Sequence, residues 1–498
     1  MGLLQRIWRL LDHRLRRSAG RDRPLPGHPH FPFTATPPET LALPTADASG
    51  RQYRLIGHLQ GHYSLAIVNR ALALALQQRH PGSVTLYHYH GQPAPPPDDL
   101  PQAQAAALRP LLRAHPLPGG SRHTIHLVGH YPLLAMERGP GLNLLLFFWE
   151  EGRVPAEMVA ALQRDYHAVL VASRFVKKAL RDSGCRLPIC VIPLGVDHLI
   201  DPVAPLAPLP STRPLRLLHL SSAFERKGVD LLLAAYHEAF TADHDVELYI
   251  KTFPNPHNRL PQQLAAARRG HRRPPRVMVD QQPLDDHALL ALYRSCHALL
   301  LPTRGEGFNL PAAEALALGL PLLVTGHGGH SDFAAQDNAR LIRYRLAPAR
   351  SHLSTPDSHW IEPDRDHLVE QMRQLCQEIE RGDPALERRR QRGRQTVAEA
   401  WRWDHAAQAI DRTIGWLHRE QNSPRPPPRL ALVAPAATAD RLAAQLGSAD
   451  VPCLHLLPPG EGGSGPPERL DEWLDRLERA PADLLLLYWR AVDRSRPA

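Results

Sequence analysis

The sequence predicts an α/β protein built from two doubly wound parallel sheets in tandem, followed by a small α/β extension. Three observations point there. Short runs rich in Leu and β-branched residues alternate with helical stretches from Tyr53 onward. A Pro-rich link, DPVAPLAPLPSTRP at 201–214, interrupts the alternation, and the same alternation then restarts. At 498 residues the chain also exceeds what one hydrophobic core can serve.

The first series reads YRLIGHL, the helical YSLAIVNRALALALQQR, SVTLYHY, TIHLVGH, LNLLLFFW, and AVLVASRFVKKALRDSG leading to ICVIPLG. Runs that are apolar throughout and closed by loops are strands buried on both faces. Their alternation with helices implies parallel pairing with helices on both sides. The second series reads LRLLHLSS, a helix over GVDLLLAAYHEAF, VELYIKTF, RVMVD, DHALLALYRSCHALLLP, a helix at LPAAEALALG, and PLLVTG. Two Rossmann-like units, 51–205 and 206–420, are thus expected to face one another across a cleft. AEAWRWDHAAQAIDRTIGWLH closes the second unit as a terminal helix, with Trp401 and Trp403 as packing anchors.

After a second break at NSPRPPPR, residues 429–498 read strand–helix–strand–helix–strand, with ERLDEWLDRLERA as the second helix. Residues 1–50 divide into a basic amphipathic leader and a Pro-rich tether. Leu3, Ile7, Leu11 and Leu15 share one helical stripe, flanked by Arg6, Arg9, Arg14, Arg16 and Arg17. Such a stripe suits an anionic membrane surface, an unstructured leader, or packing on the body.

Apolar content of 43% and charged content of 22% are those of a globular chain, and 51 prolines imply many rigid loops. A net charge of +9 with 29 His fits an anionic ligand or surface, or simply a basic exterior. The five cysteines (Cys185, Cys190, Cys296, Cys376, Cys453) form no C-x-x-C pair, which argues against a zinc ribbon or disulfide framework and for a reducing compartment. No run approaches the ~20 apolar residues of a membrane span, and the N-terminus lacks the apolar core of a signal peptide. A cytoplasmic location is expected, with residues 1–20 as the candidate for contact with the inner membrane face. The basic runs at 268–276 and 387–394 lack interleaved aromatics and read as solvated faces, so no nucleic-acid partner is expected. His88 with His90, and His327 with His330, lack a third ligand at helical or turn spacing, so no metal is expected. The latter pair reads as a substrate contact.

The chemistry concentrates in LPTRGEGFNLPAAEALALGLPLLVTGHGGHSDF, 301–333. A buried strand ends at Pro302, a Gly-rich loop follows, and a helix begins near Leu310 or Pro311, where proline favours a helix start. The amides of Gly307, Phe308, Asn309 and Leu310 then converge at the positive end of the helix dipole, which suits a diphosphate. Glu306 lies in the loop and Glu314 in the helix, within its first turn or so; two-oxygen acceptors suit vicinal hydroxyls, Glu306 those of a sugar ring and Glu314 those of a ribose.

This string resembles the signature of the retaining family-4 glycosyltransferases of GT-B fold, roughly E-G-F-G-L-P-x-x-E-A-x-A-x-G-x-P and then a Gly-Gly turn. Here it reads E-G-F-N-L-P-A-A-E-A-L-A-L-G-L-P, followed by Gly328-Gly329. A second match lies in LLHLSSAFERKGVDLLLAAY, where the family has G-R-x-x-x-x-K-G-x-D. Lys227, Gly228 and Asp230 fall on the K-G-x-D positions, whereas Ser222 stands where the family's Arg would bind phosphate; Arg226 is the candidate replacement. A third, weaker match is the first Gly-rich turn, with Gly57 and Gly61 as candidates and Gly61 nearest the helix. On the acceptor side the family places a polar residue, often His, at the strand end that here reads Trp149-Glu150-Glu151; Glu150 is the first candidate and His130 the reserve.

The resemblance spans about 51–420. It implies transfer of a sugar from a nucleotide-sugar donor to a glycan or lipid-linked acceptor with retention, no metal, and Lys227 and Glu306 at the catalytic centre. The competing expectations are a phosphorylase-like or epimerase-like use of the fold, for which no pyridoxal-lysine motif is present, and an inactive nucleotide-sugar binder, to which Ser222 points. No P-loop is found, and the turn at Gly57 and Gly61 is not the G-x-G-x-x-G of nicotinamide enzymes.

Overall fold

A computed structural model describes residues 50–422 except 62, 89–99, 114–120, 122, 137–140, 200–204, 352–354 and 356, and three strands beyond 429; side chains are described through 418. The amphipathic leader, His90 and the helices expected in the tail lie outside the described residues. The chain divides into a large unit, 41–421, and a second unit that carries the three terminal strands.

In the large unit the first series folds as β1 (Gln52–Gly57), α1 (Ser64–Arg79), β2 (Val84–His88), α2 (Gln102–Leu108), β3 (Leu112–Arg113), β4 (Thr124–Gly129), β5 (Leu142–Phe147), α3 (Ala156–Asp165), β6 (Ala168–Val171), α4 (Arg174–Asp182) and β7 (Ile189–Val191). The strands pair in parallel in the order β3-β2-β1-β4-β5-β6-β7. All of β5 and β6 is buried, which is why both read as apolar runs; the one polar residue, Asn143 of β5, donates its amide to the Asp165 carbonyl at 3.1 Å. Ser173 caps α4 by accepting from the Val176 amide.

The second series supplies β8 (Leu215–Leu220), α5 (Val229–Ala239), β9 (Val246–Lys251), α6 (Leu260–Arg268), β10 (Arg276–Asp280), α7 (Asp286–Arg294), β11 (Ala298–Leu301), α8 (Leu310–Leu318), β12 (Leu322–Thr325) and β13 (Arg340–Ile342). These strands are again parallel, in the order β10-β9-β8-β11-β12-β13. An antiparallel hairpin follows, β14 (Tyr344–Pro348) with β15 (His359–Pro363), and then α9 (Arg365–Arg381), α10 (Pro384–Ala400) and α11 (Trp403–Asn422). The protein is therefore α/β with two Rossmann-like parallel sheets, as the sequence implied.

Two expectations need correction. The terminal helix is broken: α10 stops at Ala400 and α11 starts at Trp403, whose amide is capped by the Asp197 carboxylate at 2.9 Å. The basic run 387–394 lies within α10 and is not uniformly solvated. Arg390 is buried and donates to the carbonyls of Gly319 (2.7 Å) and Ala207 (2.6 Å), because the small Gly393 lets α10 approach Leu316 of α8.

Beyond the break, α11 packs on the first sheet's core, where Trp403, Ala406, Ala407, Ile410, Ile414 and Leu417 join Leu72, Leu76 and Ile192. A polar latch reinforces it: Asp411 accepts from Tyr53 Oη (2.6 Å), Arg79 Nε (3.0 Å) and His80 Nε2 (2.9 Å). Burial pushes the Asp411 carboxyl up, but these three donors outweigh it and hold it below its ordinary 3.8. A depressed carboxyl stabilises above its unfolded pKa and stops doing so as pH falls through the folded value. Asp411→Asn is expected to cost about 1 kcal/mol at pH 7, and the gap to wild type should close below about pH 4; urea unfolding at both pH values checks this.

In the second unit, Leu430–Val433, Cys453–Leu456 and Leu484–Leu487 form a parallel sheet with the first of them in the centre. Among the described residues, no helix is long and apolar enough to cross a membrane, and Cys185, Cys190, Cys296 and Cys376 are free thiols.

Candidate active site

Both large sheets reverse their strand order once, between β1 and β4 and between β8 and β11. Crevices beyond the carboxyl ends of strands at such points are where open α/β sheets bind ligands. At the first, Gly57 and Gly129 end β1 and β4, and a Cβ on either would run into Asn69. The Asn69 amide donates to the carbonyls of Gly129 (2.7 Å) and His58 (2.9 Å). Buried Arg70 donates to the carbonyls of Leu59 (2.9 Å) and Gly61 (2.8 Å), and Gly61 turns the loop at φ +82°. His130 is buried, stacks on His58 at 4.1 Å, and donates Nδ1–H to the Pro132 carbonyl at 2.6 Å.

At the second switch point β8 leads to Ser222, whose carbonyl takes the Asn255 amide at 2.9 Å, and then to a 3-10 turn over Glu225–Lys227. Gly228 follows at φ +68°, pressed on the Pro302 carbonyl at the end of β11, so no side chain fits there. The turn brings Lys227 Nζ to 2.7 Å from Glu306 Oε1 and Arg226 to 3.5 Å from Glu306 Oε2. Arg226 also reaches Glu150 Oε1 at 3.1 Å and the Gly305 carbonyl at 3.2 Å. Four residues selected from sequence, Lys227, Arg226, Glu306 and Glu150, therefore form one contiguous cluster.

The cluster is dry. Glu306 is 4% exposed. Burial pushes its carboxyl up, but the charges of Lys227 and Arg226 prevail and hold it below its ordinary 4.5. Burial, with Arg226 next, pulls the Lys227 ammonium down from 10.5. The Glu306 loop lies against the end of β5: a Cβ on Gly305 would strike the Glu150 carbonyl, and Gly307 faces the Trp149 carbonyl. Ser173 Oγ donates to the Gly307 carbonyl at 2.6 Å, and Ser358 Oγ to Glu151 Oε2 at 2.7 Å.

Asn309 sits at φ 77° as the residue before α8, and Pro311 occupies the first turn. Among the described residues, no backbone carbonyl takes the amides of Gly307, Phe308 or Asn309. Nearby, the buried atoms Thr303 Oγ1, Asn309 Nδ2, Thr325 Oγ1 and His330 Nδ1 also lack partners. His330 Nε2 faces the Thr325 carbonyl at 2.6 Å. Buried polar atoms without partners are costly, and here they ring the loop that the sequence marked for phosphate.

Glu314 lies in the second turn of α8, not the first, and its contacts are elsewhere. Tyr293 Oη donates to its Oε2 at 2.7 Å, and His198 Nε2 stands 3.5 Å from Oε1. Sequence reasoning also missed Arg304. It is 7% exposed, donates to both oxygens of Asp230 (2.8 Å each) and both of Glu362 (2.9 Å each), and takes the Glu225 carbonyl at 2.8 Å. An arginine inside L-P-T-R-G-E-G was the available signal, but its partners come from α5 and β15.

Residues 169–410 match the model of a family described as family-4 glycosyltransferases in conflict systems. Among curated proteins, putative glycosyltransferase 45 of a Sulfolobus islandicus filamentous virus is 29% identical over 168 residues, 33% of this chain and 43% of that protein. The MMP α-(1→4)-mannosyltransferase of Mycolicibacterium hassiacum is 31% identical over 155 residues, 30% of this chain and 35% of that protein. The chain thus spans less than half the length of the curated relatives it matches. Sucrose-phosphate synthase of Thermosynechococcus elongatus superposes with a TM-score of 0.52 at 17% identity, over 74% of this chain and all of that one. HepE of Anabaena, solved with UDP and glucose, gives 0.50 at 12% identity, over 74% of this chain and all of that one. The fold is GT-B, and within it residues 169–410 are similar to the family-4 glycosyltransferases of that model.

Proposed function

We propose that the protein moves a sugar from a nucleotide-sugar donor to a glycan or lipid-linked acceptor, with retention at the anomeric carbon. The observation that carries this is the Lys227–Arg226–Glu306–Glu150 cluster, drawn from both sheets and set just before the N-terminus of α8. Two cations face two carboxylates, so the cluster is balanced as it stands. A donor diphosphate would take over Lys227 and Arg226 and the amides before α8, where the helix dipole favours anions. Glu306, released from Lys227, would accept hydrogen bonds from the sugar hydroxyls.

When the bond to the diphosphate breaks, negative charge grows on the leaving oxygen. Cations already fixed there stabilise it without reorganisation. In this reading they provide the positive charge the reaction needs, no metal is required, and Arg226 makes good the loss of the family's Arg at Ser222. Glu150 would orient or deprotonate the acceptor hydroxyl once Arg226 turns to phosphate. His130 is the reserve, since donating Nδ1–H leaves the lone pair on Nε2. That HepE was solved with UDP and glucose, and that one relative is named a mannosyltransferase, supports a nucleotide hexose as donor. The free cysteines support a reducing, cytoplasmic setting.

The test is a panel of UDP-, GDP- and ADP-sugars. A true donor at a hundred times its Kd stabilises by about 2.7 kcal/mol and should raise the melting temperature by several degrees. With an acceptor it should release the nucleotide, and NMR of the product should show the donor's anomeric configuration. Stabilisation with no release under any acceptor would make the chain an inactive binder; no stabilisation by any member would remove the donor assignment.

A further inference from the structure

Two stretches of chain connect the first sheet to the second: one leaves after β7, and the other returns between α10 and α11. They are fastened side by side. Val196 N–H donates to the Trp401 carbonyl at 3.2 Å, and Trp403 N–H to Asp197 Oδ1 at 2.9 Å. Gly195 lies so close to the Trp403 backbone that a Cβ could not be added.

From this joint a polar chain runs into the donor-side half. Trp403 Nε1–H donates to His198 Nδ1 at 3.2 Å. An indole N–H can only donate, so His198 Nδ1 must accept, and the imidazole proton sits on Nε2. That nitrogen faces Glu314 Oε1 at 3.5 Å. The other Glu314 oxygen accepts from Tyr293 Oη, a buried phenol on α7. Burial and the Glu314 charge raise the Tyr293 hydroxyl well above its ordinary 10, so it stays a donor. A carboxylate that is 2% exposed thus accepts one hydrogen bond, from Tyr293, and has one close polar neighbour, His198, which is tied to the joint.

We propose that Tyr293 and His198 are positioning residues that lock Glu314, and with it helix α8, to the two crossovers, so that the donor helix and the joint between the sheets move as one. For donor binding this rests on the reading above: closing the joint would then set the Glu306 loop at the N-terminal end of α8. The coupling itself needs no ligand to be observed.

Hydrogen exchange of the full-length chain tests it through Tyr293→Phe and Trp403→Phe. Tyr293 touches neither crossover in any contact described above, and its variant removes a single oxygen. Through the chain it is expected to lower protection of the Val196 and Trp403 amides about tenfold, with β4 and β5 amides unchanged. Trp403→Phe should do the same, and the double variant should go no lower than either single one, as expected for groups in one network. Wild-type exchange at the crossovers in Tyr293→Phe, a uniform loss that includes β4 and β5, or effects that multiply in the double variant would each overturn the proposal. With UDP-glucose as probe, Tyr293→Phe should raise KM severalfold and leave kcat within twofold. If wild type never turns over any nucleotide sugar, the functional reading fails and the exchange result stands alone.

Discussion

If Lys227 acts as proposed, Lys227→Ala will lower kcat/KM for the nucleotide-sugar donor about 10³-fold, because on that reading it removes a fixed cation from the position where the leaving diphosphate gains charge. Lys227 is the nearest cation to Glu306, at 2.7 Å against 3.5 Å for Arg226. Its loss therefore also leaves a buried carboxylate short of a partner, which destabilises the fold. The two effects separate in the double variant Lys227→Ala/Glu306→Gln. Neutralising Glu306 removes the stranded charge, so the double variant should recover most of the lost stability and none of the turnover. Lys227→Arg keeps the charge but swaps a compact ammonium for a planar fork, and partial activity is expected. The pair also has a pH signature: Glu306 is depressed, so its contribution is present above its unfolded pKa of about 4.5 and disappears as pH falls through the folded value. Turnover of Lys227→Ala within threefold of wild type would mean that the diphosphate is neutralised elsewhere.

How much of this was legible beforehand follows from which forces write themselves into sequence. Strands buried on both faces had to be almost wholly apolar, so β5, β6 and β11 stand out as runs. The loop before α8 had to bend and approach a backbone, and its glycines and Pro311 mark it. Residues exposed on a hairpin carry no such demand: Tyr344 and Leu346 of β14 are exposed, and nothing in YRLAP announces a strand. The break between α10 and α11 was hidden for a different reason. Its cause, Asp197 capping Trp403 beside Gly195, is remote in sequence. At the site, residue types were readable and partners were not. Glu150 could be assigned to an acceptor strand, but its pairing with Arg226 depends on how the two sheets meet. The spacing of Glu306 and Glu314 fixed their positions around α8 and said nothing of Tyr293 or His198.

The largest effect on stability should come from Arg304→Ala, at about 3 kcal/mol in urea unfolding at neutral pH. The guanidinium is 7% exposed and spans two carboxylates with four hydrogen bonds, while the Glu225 carbonyl takes a fifth. It also lies 5.8 Å from the Trp360 ring. Removing it leaves Asp230 and Glu362 facing a gap with no cation between them. Because Asp230 is 42% and Glu362 26% exposed on their side chains, water can reach both, which puts the cost at the low end of the roughly 3–5 kcal/mol for breaking a buried pair. Arg304→Lys restores a charge without the two-sided fork, and about half of the loss should return. On the proposed role of Lys227, turnover should fall as well, by about tenfold, because Arg304 holds the Glu225 carbonyl and Asp230 on either side of Lys227, and a displacement of ~1 Å at a cation that faces the reaction is costly. Glu362→Gln distinguishes the two roles. It weakens the hairpin side while sparing Asp230 and Glu225, so it should lose stability and keep turnover; equal losses of turnover in both variants would show that Arg304 supports the site through the hairpin and not through the Lys227 turn.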